Sequence, residues 1–208
     1  PMSRSAKFWN RMAAGYARRP VADEASYQKK LAITRSYLKP GMAVLEFGCG
    51  TGSTAITHAP HVAHIHAIDI STNMIEIARR KAADAGVRNV TFECATLDSF
   101  MAPAEAFDVV LGLSILHLLP DRRGTIAKVY TMLKPGGIFV SSTICLGDSM
   151  KWLRPIVPAI AWLFGLVLRF FTSTELLHEM KDAGFNMDHE WRPGPNKAVF
   201  IIAKKPVA

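Results

Sequence analysis

The clearest chemical signal in the chain is an acid, Glu46, followed by Gly48, Gly50 and Gly52 in the run VLEFGCGTGSTA. Glycines at alternate positions permit left-handed backbone and let a ligand approach the main chain closely. The run passes from an apolar strand into a helix, whose first N–H groups and positive dipole end favour a polar ligand. Asp69 stands about twenty residues further on, at the end of the next apolar run, where a carboxylate can accept hydrogen bonds from both hydroxyls of a ribose. The set describes a site for a nucleotide-type cofactor.

The spacing is G-x-G-x-G, with Ser53 where a dinucleotide fingerprint has its third glycine. Glu46 would repel a pyrophosphate but suits the ammonium of a methionine moiety. The choice tilts from a dinucleotide toward S-adenosylmethionine. Two further sets of residues could do chemistry. His117, in SILHLL, is the candidate general base, needed only where an acceptor must lose a proton; packing is the alternative role for a histidine there. His58, His61, His64 and His66 cluster as metal ligands do, but His64 and His66 alternate with Ile65 on a strand and His58 ends the preceding helix. With no thiolate or carboxylate partner apparent nearby, no metal site is expected.

The elements that position these residues follow from periodicity. Short apolar strands alternate with amphipathic helices from Met42 onward, which argues for an α/β fold with a parallel sheet covered on both faces. Strands are expected at Ala43–Phe47, His64–Ile70, Val90–Glu93, Asp108–Gly112, Ile138–Thr143, Asn186–Trp191 and Ala198–Lys204. Helices are expected at Ser53–His58, Asn73–Ala85, Asp121–Leu133 and Thr174–Ala183, the third stopped by Pro135-Gly136-Gly137. Upstream, Phe8, Met12 and Tyr16 form one stripe of a basic amphipathic helix closed by Pro20, and a second helical run covers Asp23 to Leu38.

At 208 residues there is room for one domain and a small appendage. Residues 1–40 read as a helical cap and 41–208 as the cofactor-binding domain, interrupted by an apolar insertion at 149–171. That insertion contains AIAWLFGLVLRFF but lacks the ~20 uninterrupted apolar residues of a bilayer span. It reads as a lid over an apolar pocket, a segment resting at a membrane interface, or a buried helix. Of the net charge of +8, most lies in residues 1–40, with nine Lys/Arg against two acids. Such an arm can meet an anionic membrane, an acidic substrate or nucleic acid, or be a solvated face. Basic clusters interleaved with aromatics do not extend beyond it, so no nucleic-acid partner is expected. Three cysteines, Cys49, Cys94 and Cys145, are too few for a disulfide framework, and no secretory signal opens the chain. A cytoplasmic protein is expected, with peripheral membrane contact through the basic helix and the insertion as a variant of that reading. The sequence is silent on oligomeric state.

LEFGCGTG, AIDIS, FDVVLGLSILHLL and LKPGGIFVSS, in that order over residues 42–143, closely resemble the motifs of class I S-adenosylmethionine-dependent methyltransferases. The resemblance implies a Rossmann-like doubly wound, seven-stranded sheet whose last strand runs antiparallel beside the sixth, and methyl transfer to a small molecule. It implies that Glu46, Gly48 and Gly50 hold the methionine end of the cofactor, Asp69 the ribose, and Ile70 and Met74 the adenine. Where the family carries an adenine-reading aspartate, ATLDSF has Thr96, so Thr96, the backbone of Leu97 or the displaced Asp98 takes that part. Ser114 should lie beneath the cofactor, and Tyr16 resembles the tyrosine with which small-molecule members close the site. The variable parts of such enzymes, here the N-terminal helices and the insertion, select the acceptor. Their apolar character and basic edges favour a lipophilic or amphiphilic small molecule such as a quinone precursor or a fatty-acid-like compound, with a phospholipid head group as the alternative.

Overall fold

Side-chain caps begin the first two helices of the computed structural model, which describes residues 3–149, 156, 157, 160 and 168–207. Ser3 Oγ accepts from Ala6 N at 3.1 Å to open α1 (Arg4–Arg18), and Asp23 Oδ1 accepts from Ser26 N at 3.1 Å to open α2 (Glu24–Arg35). The second ends before the expected Leu38 because Tyr37 N and Leu38 N bond carbonyls three residues back, tightening the chain into turns ahead of Pro40-Gly41.

The described residues form two compact units, one reaching Phe100 and the other starting at Met101. In the first, β1 (Ala43–Phe47), β2 (His64–Asp69) and β3 (Val90–Cys94) run parallel, with α3 (Ser53–His58) after β1 and α4 (Thr72–Asp84) after β2. Val44 to Phe47 are all buried, Glu46 included, as a parallel strand covered on both faces requires. The pairing Phe47↔Ile68 brings the glycine turn and Asp69 to the carboxyl ends of neighbouring strands. Helix α1 buries Ala6 and Ala13 and packs on α4.

The second unit holds β4 (Phe107–Leu113), α5 (Arg122–Met132), β5 (Leu133–Thr143), the short α6 (Leu146–Ser149), α7 (Ser173–Asp182), β6 (Asn186–Trp191) and β7 (Val199–Lys204). Strand β5 is parallel to β4 and antiparallel to β7, which also runs antiparallel to β6. The seven strands follow the order β3-β2-β1-β4-β5-β7-β6, the mixed sheet expected from the resemblance, with the reversed last strand lying between the fifth and sixth. The largest difference in a strand boundary is at β5, the other strands falling within one residue of expectation. Strand β5 starts at Leu133 rather than Ile138 because Leu133 already pairs with Phe107, and the ladder resumes at Val109↔Ile138 after a bulge. Gly136 turns there at φ 77° and donates its N–H to the Lys205 carbonyl at 3.0 Å. Most of the 149–171 insertion lies outside the described residues; within it Ile156 and Ile160 are exposed. Among the described residues no helix is long and apolar enough to cross a membrane.

Candidate cofactor site

Three left-handed residues shape the turn after β1: Gly48 at φ 66°, Gly50 at 53° and Gly52 at 74°. Their reasons differ. A Cβ on Gly50 would meet nothing within 4 Å, so the turn presents open space there. On Gly52 a Cβ would fall 2.7 Å from Phe92 and 2.8 Å from Ala78, so packing against β3 and α4 already demands glycine. Cys49 N donates to the Ile68 carbonyl at 3.0 Å and ties the turn to β2.

Asp69 ends β2 beside this turn. Its Oδ2 accepts from Gly50 N and its Oδ1 from Ser71 N, each at 2.9 Å. Burial pushes its pKa up, and these backbone donors oppose the shift. Glu46 is buried at 3% exposure, and the Ala55 backbone N–H at the start of α3 supplies one hydrogen bond. Among the described residues its Oε2 has no partner. Burial, then the nearby Asp69 carboxylate, push the Glu46 pKa up to about 8. Burial likewise holds the Cys49 thiol well above its ordinary value, with Glu46 and Asp69 adding to the effect. The turn thus gathers one buried and one half-buried acid and leaves one carboxylate oxygen unanswered, an omission that costs about 1–3 kcal/mol until a donor arrives. A cationic ammonium fits that oxygen; a pyrophosphate does not.

Around this centre Met74 is buried on α4, and Ile70 is half-buried between Asp69 and the α4 N-cap Ser71. Tyr16, on the last turn of α1, is 49% exposed and stands edge-on to Trp9. Thr96 turns its hydroxyl inward on its own loop, accepting from Ser99 N and bonding Ser99 Oγ, both at 3.0 Å. Leu97 is buried and Asp98 exposed. Tyr27 of α2 was not singled out by any spacing. Its hydroxyl lies 3.4 Å from Thr54 Oγ1, burial raises its pKa, and Glu46 and Tyr16 are both close enough to add to that rise. Only its helical phase, four residues before the buried Leu31, pointed to the packed side of α2, which meets α3.

In the second unit, Ser114 follows β4 at φ 56° and donates its N–H to the Ser142 carbonyl at 2.6 Å. A side chain at that φ costs about 1–2 kcal/mol, so Ser114→Gly should raise unfolding stability by about 1 kcal/mol in urea titrations. His117, in a 3-10 turn over Leu116–Leu118, has Nδ1 3.1 Å from Oγ1 of the buried Thr143. Burial lowers its pKa, which favours the neutral ring.

The clustered histidines separate in space. His64 Nε2 bonds Thr91 Oγ1 at 3.1 Å, and His66 Nε2 bonds Glu93 Oε2 at 2.8 Å. A carboxylate therefore does stand beside His66, contrary to the sequence reading, because the parallel register lays Thr91 and Glu93 of β3 alongside β2. Among the described residues no group of three or more His, Cys, Asp or Glu is arranged to hold a metal ion. His58 is buried and, among the described residues, neither ring nitrogen has a partner; burial, then His61 and Arg35, lower its pKa to about 4. A base held below its unfolded value stabilises the fold above that value and loses the contribution as pH falls from about 6.5 toward 4. His58→Leu should accordingly raise stability by about 1–2 kcal/mol at pH 7, and by more at pH 4.5, in denaturant titrations.

Comparison with known proteins agrees with this geometry. Residues 44–137 match the family profile described as a methyltransferase domain. The aklanonic acid methyltransferase DauC of Streptomyces sp. (strain C5) is 34% identical over 119 residues, covering 55% of this chain and 54% of the relative. The ubiquinone biosynthesis O-methyltransferase of Coxiella burnetii is 30% identical over 104 residues, 50% of this chain and 44% of the relative. The chain thus spans about half the length of the curated relatives it matches. In fold it resembles the YcgJ protein of Bacillus subtilis, with a TM-score of 0.74 at 19% identity over 87% of this chain and 100% of that one. The [4+2]-cyclase SpnF gives the same TM-score at 22% identity, over 92% and 84%. Residues 44–137 match a methyltransferase domain, and the strand order and these relatives support a class I S-adenosylmethionine-dependent methyltransferase.

Proposed function

We propose that the chain transfers the methyl group of S-adenosylmethionine to a small lipophilic or amphiphilic acceptor of the quinone-precursor kind. The observation that carries the cofactor half is the buried, unpartnered Oε2 of Glu46 on the glycine turn, beside the Asp69 carboxylate. Glu46 receives the ammonium of the methionine moiety. Asp69 keeps lone pairs for ribose hydroxyls even while Gly50 N and Ser71 N hold it, since a carboxylate accepts about four hydrogen bonds. Tyr16, Ile70, Met74 and the 96–97 segment make up the remaining cofactor contacts.

When bound, the sulfonium supplies an activated methyl and a good leaving group, so the chain's own task is alignment. An acceptor hydroxyl must also lose its proton. His117 is the proposed base: in the tautomer whose Nδ1–H donates to Thr143 Oγ1, the neutral ring keeps Nε2 as the proton acceptor. Support for the acceptor half comes from the names of relatives that act on aklanonic acid, in ubiquinone biosynthesis and on demethylmenaquinone. Incubation with methyl-labelled S-adenosylmethionine and a panel of quinone precursors should move label into an acceptor. Cofactor binding with no labelled product from that panel or from lipid and polar extracts would leave a cofactor-binding protein of another activity, as a fold shared with a named cyclase allows.

A phospholipid acceptor is the second reading, favoured by the exposed Arg4, Lys7, Arg11 and Arg18 of α1. It requires attraction to anionic vesicles. Co-sedimentation unchanged by combining Lys7→Glu with Arg11→Glu would remove it.

A further inference from the structure

The polar residue Asn10 ties helix α1 to the segment that follows Asp69. Asn10 Oδ1 accepts from Ser71 Oγ at 2.6 Å, Asn73 N at 3.2 Å and Thr72 Oγ1 at 3.3 Å, and the Asn10 carbonyl accepts from Asn73 Nδ2 at 3.0 Å. All four bonds end on residues 71–73, the N-cap and first turn of α4. Helix α1 buries Ala6 and Ala13 and packs on α4. The polar contacts add direction. Ser71 is fully buried, its Oγ accepts from Met74 N at 3.2 Å while donating to Asn10, and its own N–H points at Asp69 Oδ1. A hydroxyl held from both sides has one rotamer, and the peptide carrying that N–H is held with it.

We propose that Asn10 is a positioning residue of the cofactor site, fixing the Asp69–Ser71 turn so that the Asp69 carboxylate faces the ribose. Asn10 touches no cofactor in this scheme; it acts through Ser71. The proposal rests on the reading of Asp69 as the ribose acceptor. It also gives the N-terminal helix, which bears Trp9 and Tyr16, a defined seat two hydrogen bonds from that carboxylate.

The test compares calorimetric affinities for S-adenosylhomocysteine and for its 2′-deoxy analogue, which lacks one ribose hydroxyl. Wild type should bind the analogue about tenfold more weakly, the loss expected for one hydrogen bond to a charged group. Asn10→Ala should weaken S-adenosylhomocysteine and shrink that discrimination to about twofold. Asn10→Asp, which still accepts from all three donors and puts a negative charge at the N-terminus of α4, should restore it. Thermal unfolding of each variant runs alongside. A melting point lowered by Asn10→Ala with the tenfold discrimination intact would make the contact merely structural and overturn the proposal. Asp69→Ala serves as the reference: discrimination surviving in that variant would overturn the ribose reading itself, and the role of Asn10 with it.

Discussion

Asp69→Ala should weaken S-adenosylhomocysteine binding by about 1.5–3 kcal/mol, a tenfold to more than hundredfold rise in Kd by titration calorimetry. The range is that of hydrogen bonds to a charged group, and two features push toward its upper end. The carboxylate accepts from Gly50 N and Ser71 N, so its removal leaves both donors without their acceptor and loosens the glycine turn as well as the ribose contact. Burial also makes each lost bond cost more than it would in water. Asp69→Asn, which keeps one carbonyl oxygen, should fall between. An affinity unchanged by Asp69→Ala would move the ribose elsewhere.

Glu46→Gln should change how both stability and binding depend on pH. The folded pKa of Glu46 is raised from 4.5 to about 8, so between those values the folded protein keeps a proton that the unfolded chain has released. Stability contributed below pH 4.5 is therefore lost as pH rises toward 8, on the order of 3 kcal/mol between pH 5 and pH 8 in the ligand-free protein. Denaturant titrations of Glu46→Gln should lack that slope. Binding carries the opposite sign. A cationic ammonium favours the carboxylate, so cofactor docking below pH 8 expels the proton, and affinity for S-adenosylhomocysteine should rise up to about tenfold per pH unit between pH 6 and 7.5. Calorimetry in buffers of different ionisation enthalpy should register close to one proton released per site in wild type and none in Glu46→Gln. Equal proton counts would show that Glu46 does not receive the ammonium.

The parts of the molecule that were legible in sequence are those written in short-range pattern. Alternating apolar strands and amphipathic helices placed every described strand of the sheet to within a few residues, and the glycine spacing and Asp69 located the turn. Ser53 and Glu46 separated one cofactor chemistry from another with no structure in hand. The parts that were not legible depend on side chains far apart in the chain. Asn10 meets Ser71 across 61 residues, and His66 meets Glu93 across 27, pairings that periodicity cannot encode. Thr96 closes a ring with Ser99, a local choice made by hydroxyl geometry rather than by residue type. Gly52 was grouped with the ligand-facing glycines, and only the neighbouring Phe92 and Ala78 reveal its packing role. The early start of β5 came from a bulge, where Leu133 rejoins the ladder that Pro135-Gly136-Gly137 seemed to exclude.

On the proposed reading the Glu46–Gly52 turn holds an S-adenosyl donor rather than a dinucleotide. Titration calorimetry of the purified protein with S-adenosylhomocysteine and, separately, with NADH tests it most directly. Saturable binding of S-adenosylhomocysteine and none of NADH is expected; binding of NADH without S-adenosylhomocysteine would overturn the assignment.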